Sequence, residues 1–140
     1  MTTQTTTQQQ VTSTNFNLLR TVLRGNALIS ILSAVVALVA SGSVAEFMGV
    51  EDTLPFIILG IALVLWAIDV YVVSSQDPIR ANYVKMIIGG DLLWVAGSAV
   101  LLLLDPFDFS TSGMWAVLVI ADIVLTFAIL QYVGLRRARR

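Results

Sequence analysis

Four long, predominantly apolar runs, 27–44, 54–73, 84–104 and 114–133, govern what this chain can fold into. Each holds about 18–21 residues, the length at which a helix rising about 1.5 Å per residue crosses a hydrocarbon layer about 30 Å thick. Short polar breaks at 49–53, 74–82 and 105–113 separate the runs. Pro55 and Pro78 suit first helical turns, with Thr53 and Asp77 near the caps, and Asp105-Pro106 reads as the stop of the third run. The runs are continuous rather than alternating, so a membrane β-barrel does not fit them. The expected fold is all-α, a four-helix transmembrane bundle occupying residues 18–135. Composition agrees: 57% of the chain is hydrophobic and 12% charged, against roughly 45–50% and about 25% in soluble domains.

The eight Lys and Arg residues fix an orientation. Arg20 and Arg24 precede the first run, Arg80 lies between the second and third with Lys85 at the very start of the third, and Arg136, Arg137, Arg139 and Arg140 follow the fourth. All fall on one side of the expected membrane. The opposite loops carry Glu46, Glu51, Asp52, Asp105 and Asp108. The positive-inside rule then makes the basic side cytoplasmic, with both termini inside and the basic residues acting as topology and anionic-lipid anchors. A cleaved signal peptide is an alternative for the first run, since Arg20 and Arg24 lead it and a small-residue stretch, 40–45, ends it. The long leading segment and the repeat described next favour a structural span. Residues 1–17, dominated by Thr and Gln and without charge, read as a disordered polar tail, and 136–140 as a basic tail.

The third run overlays the first. Residues 26–35 pair with 91–100 at a constant offset, and Arg20 falls on Lys85. Trp66 and Tyr71 of the second run correspond to Phe127 and Tyr132 of the fourth. Two like-oriented helical hairpins, a parallel repeat, are expected, with Asn26 and Asp91 as equivalent positions. Asn26, Ser30, Ser33 and Ala37 form one helical stripe, and Asp91, Trp94, Gly97 and Ser98 another, as expected for close helix contacts.

The inventory removes many kinds of chemistry. Without Cys or His, thiolate and imidazole metal sites, His-ligated haem and imidazole acid–base work are excluded. No catalytic constellation, phosphate-cradling loop or paired metal carboxylates stands out, so neither enzyme nor cofactor nor nucleic-acid partner is expected. What remains is a set of intramembrane polar residues: Asn26, Asp69, Asp91 and Asp122. A carboxylate at bilayer depth costs roughly 2.5–3.5 kcal/mol and usually faces the protein interior. Asp69 lies about 6 Å from the inner boundary, within reach of interfacial water or of Arg80, Arg24 or Arg20. Asp91, about 10 Å deep, is expected to bond Asn26 or Arg24. Asp122, about 12 Å from the outer boundary, has no basic residue at its depth. It is expected to bond a carbonyl or Thr126, to meet another subunit, or to carry a proton or cation.

The segments 24–27, 90–98 and 131–137 resemble those of a widespread, functionally uncharacterised group of small four-span bacterial membrane proteins. The resemblance implies a bacterial cytoplasmic membrane and brings no activity or site residue with it. The sequence therefore favours a non-catalytic interaction subunit, packed on other membrane proteins or on itself. The alternatives are a small transporter using Asp91 and Asp122, a lipid enzyme built on interfacial Asp/Arg pairs, and pigment binding through Asn or Asp.

Overall fold

A computed structural model describes residues 3–140, with side chains from Phe16 onward, and every regular element in it is a helix. The chain runs through α1 (Thr3–Val39), α2 (Ser41–Met48), α3 (Leu54–Ser74), α4 (Ala81–Leu104) and α5 (Thr111–Ala138). Four of these hold segments long and apolar enough to cross a membrane: Phe16–Val39, Leu54–Ser74, Ala81–Leu104 and Thr111–Ala138. That is the architecture of a multi-pass membrane protein.

The first span differs from its expected limits of 27–44. It begins earlier, because Leu19 and Leu23 belong to the core and the guanidinium of Arg20 is satisfied at the helix end. Its Nε donates to the Ser74 carbonyl (3.1 Å) and its NH2 group to the Gln76 carbonyl (3.0 Å), with Asp77 at 4.0 Å. The span also stops earlier. At Ala40 the backbone leaves helical geometry (φ −112°, ψ 29°), and a separate helix, α2, follows. The polar tail read over 1–17 falls largely outside the described side chains, and the backbone of α1 continues to Thr3. Pro78 also departs from expectation. It lies in the loop after a cis peptide bond, and α4 starts three residues later at Ala81.

The two ends of the bundle are closed differently. At the basic end, Leu19, Leu23, Val70, Val73, Ile79, Val84 and Leu135 form one apolar cluster. At the other end, Ala45, Met48 and Phe56 form a second, with Phe109 and Val117 against it. There Ser110 binds α2 to α5: its N–H donates to the Met48 carbonyl (2.9 Å) and its hydroxyl to the Phe47 carbonyl (2.7 Å). The same hydroxyl accepts the Gly113 N–H (3.0 Å), capping α5. Gly49 and Gly113 make this junction possible. Gly49 has φ +76°, a conformation that favours glycine, and a Cβ on Gly113 would lie 2.7 Å from the Met48 carbonyl oxygen. At the third stop, Asp105 ends α4 at φ 40° while its Oδ1 accepts the Phe109 N–H (2.9 Å).

Around the bundle, α1 packs broadly on α3 and on α5, and α4 packs on α5, while α3 and α4 meet only narrowly. α1 and α4 are thus diagonal partners. The broad α1–α3 contact uses Gly60, where a Cβ would come within 2.6 Å of Leu38 Cγ, the small-residue approach that membrane helices favour.

Substituting Gly113→Val should strain the α2–α5 junction by about 1–3 kcal/mol. Gly97→Ala, with nothing within 4 Å of the added methyl, should be neutral. Thermal unfolding of the purified protein in detergent should show a clearly lowered Tm for the first and an unchanged Tm for the second.

Candidate functional site

Inside the basic half of the bundle, side chains from all four spanning helices meet at one carboxylate. Asp91 of α4 and Asn26 of α1 are each only 3% exposed, and Gln131 of α5 is fully buried. The Asn26 Nδ2 group donates to Asp91 Oδ2 at 2.8 Å, and Gln131 Nε2 donates to the same oxygen at 3.0 Å. Ser30, one turn along α1, donates to Asn26 Oδ1 at 3.4 Å. From α3, the Trp66 side chain approaches Asp91. Its indole lies directly against Gly90, which leaves no room there for a Cβ. Glycine at that position lets the narrow α3–α4 contact form.

The spacing of the sequence builds this arrangement. Asn26 and Ser30 are four apart and share a helical face, as do Asp91 and Ser98, seven apart and both buried. On α5 the buried positions Gly113, Ala121, Ala128, Gln131, Gly134 and Leu135 form the inward stripe. Its small residues let Gln131 approach its neighbours. Two amide donors on one oxygen serve the role that a cation plays in an ion pair, and such bonds between helices resist separation where water is absent. Two polar atoms at the centre, Trp94 Nε1 and Gln131 Oε1, are buried without a hydrogen-bond partner among the described residues. No group of three acidic side chains able to hold a metal ion forms among the described residues.

Of the sequence candidates, the structure unites Asn26 and Asp91 and separates the other two acids from them. Asp91 bonds Asn26 and not Arg24, which is exposed. Asp69 is exposed on α3 and pairs with none of Arg20, Arg24 or Arg80, because the Arg20 guanidinium is directed to Ser74, Gln76 and Asp77. Asp122 does not face the interior. It is exposed on α5, and the Thr126 hydroxyl bonds its backbone carbonyl (2.9 Å) instead of its carboxylate. Helical phase explains this: Asp122 lies on the face opposite Ala121, Ala128, Gln131 and Leu135. Gly97, placed by spacing in the inward stripe of α4, is exposed as well. Arg80, Lys85, Arg136, Arg137, Arg139 and Arg140 are exposed at the basic end. Gln131 was not among the expected site residues. The signal that could have found it is its register with Ala121, Ala128 and Gly134.

No protein-family model, curated protein or solved structure matches this chain.

A double-mutant cycle of Asn26→Ala and Asp91→Ala should give a coupling of about 0.6–1.7 kcal/mol. Reversible unfolding in mixed micelles measures it. A coupling indistinguishable from zero would remove the Asn26–Asp91 bond from the account of stability.

Proposed function

We propose that this chain is a non-catalytic membrane subunit that acts by packing against other membrane helices, in a larger complex or as a homo-oligomer. One observation carries the reading: Asp122, near the middle of the membrane-spanning helix α5, is exposed on the outside of the bundle. Apolar side chains there meet lipid at no cost. A carboxylate at the same depth is unfavourable against acyl chains, and a neighbouring protein removes that contact. The helices of the second half agree, since α4 and α5 bury far less of themselves inside the bundle than α1 does. The buried cluster at Asp91 fits a structural part in this reading, as the polar tie that holds the subunit together. A transporter built on Asp91 and Asp122 has less support, because the two carboxylates do not face a common space.

The proposed orientation places the basic end, with both chain termini, at the cytoplasmic face of a bacterial membrane. The clustering of basic residues supports it. The parallel repeat draws support from the Asn26–Asp91 bond, because equivalent residues beside a two-fold axis meet across it. The narrow α3–α4 contact beside the broad α1–α5 contact departs from the equal packing that a symmetric repeat would give.

Two measurements test these readings. A photo-cross-linker placed at Leu118 or Ile129 on the outer face of α5 should yield a discrete adduct in native membranes, above the 15.2 kDa of the chain. A protein that yields no adduct and behaves as a lone monomer in mild detergent would overturn the subunit reading. Reporters fused to either terminus should be fluorescent as GFP and inactive as alkaline phosphatase; active phosphatase would reverse the orientation.

A further inference from the structure

The outer face of α5 has a pattern that narrows the identity of its neighbour. At about 100° per residue, Trp115, Leu118, Val119, Asp122, Thr126 and Ile129 fall on a single stripe, and all six are exposed. Asp122 is at its centre, near the middle of a 28-residue helix. Because Thr126 spends its hydroxyl hydrogen on the Asp122 backbone carbonyl, no side chain among the described residues bonds the Asp122 carboxylate. The bundle therefore presents one isolated acid in an otherwise apolar ridge, ringed by Trp115, Leu118, Val119 and Ile129.

The distribution of cations decides what can meet it. All eight basic residues of the chain lie toward one end, and the nearest along α5, Arg136, is about 21 Å away along the axis. A second copy in the same orientation brings its own cations to that same end and no cation to this depth. Hydrocarbon brings no donor. The geometry points to a different occupant: a transmembrane helix of another protein that carries a Lys or Arg near mid-membrane and pairs with Asp122 across the α5 ridge. This rests on the subunit reading above and names the chemistry of the partner. Asp69 is not a second such site. It lies about 8 Å from the end of α3, where its carboxylate reaches interfacial water.

The test uses the full-length protein in phosphatidylcholine vesicles with single-span Leu/Ala peptides as probes. One peptide carries Lys at its centre, one Leu at its centre, and one Lys displaced by two turns. Energy transfer from donor-labelled protein to acceptor-labelled peptide should show the central-Lys peptide binding about tenfold more tightly than the other two. Asp122→Asn should abolish the preference and Asp69→Asn should retain it. Thermal unfolding should confirm that both variants, altered on the outer surface, keep the wild-type fold. Thr126→Trp keeps the acid but blocks the ridge, and should also lose the preference. Equal binding of the three peptides, or a preference that survives Asp122→Asn, overturns the inference. Transfer between copies of the protein that exceeds transfer to the Lys peptide and disappears in Asp122→Asn also overturns it, assigning the ridge to self-association. These outcomes are separate from the subunit reading, which falls only if native membranes yield neither an adduct nor an oligomer.

Discussion

A carboxylate held between helices in a medium without water must find its donors within the protein, and the interior of this bundle is arranged around that requirement at Asp91. Its two amide donors come from α1 and α5, and Trp66 approaches from α3. Among the described residues no close backbone approach joins α1 to α4 across the diagonal, so side chains link them: the Asn26–Asp91 bond and the apolar cluster that includes Leu23 and Val84. Packing alone leaves α3 and α4 only narrowly touching, and even that contact depends on the absence of a Cβ at Gly90. The polar cluster therefore supplies coherence where van der Waals contact is thin. At exposed faces, where lipid replaces protein, no such device is needed.

The ends of the bundle solve a related difficulty with different chemistry. At the basic end, the loop carbonyls of Ser74 and Gln76 are taken up by a single guanidinium, that of Arg20, whose planar fork suits two acceptors at once. At the opposite end, the backbone groups left by the turn into α5 are taken up by Ser110 and by the backbone of α2. Helices that cross a membrane still have unpaired groups in their first and last turns. Here both ends use residues distant in sequence, and this fixes α1 against the α3–α4 loop and α2 against the α4–α5 loop.

Much of this fold is legible in the sequence, because long apolar runs and their breakers mark spans without any need for tertiary information. Leu54 and Leu104 are element ends that follow directly from Pro55 and from Asp105-Pro106, whereas α5 starts at Thr111, three residues before the expected 114, because Ser110 caps it. α2 was not legible: its first residues, 41–44, fall at the end of the first run, and the break at Ala40 has no proline to announce it. The facing of the acids was not legible either. In water a helix shows its inward side by its apolar stripe, whereas these spans are apolar all round and hide it. Small residues carry the information instead, and by that signal Ala121, Ala128 and Gly134 mark the face that includes Gln131 and excludes Asp122. Asn26 and Asp91 could be paired from sequence because overlaying residues 26–35 on 91–100 puts them at equal depth.

The bond between Asn26 and Asp91 spans 65 residues of chain, and this separation matters while the protein is being made. A ribosome delivers α1 to the membrane long before α4, and α4 before α5, so the amide of Asn26 enters lipid with its eventual acceptor still unsynthesised. Asp91 in turn arrives ahead of the second of its two amides. The early helices are left with unmet polar groups until the last one is inserted, and no partial product holds the complete set of bonds. A chain that ends before Gln131 lacks one of the two amides on Asp91, and only the finished chain supplies it.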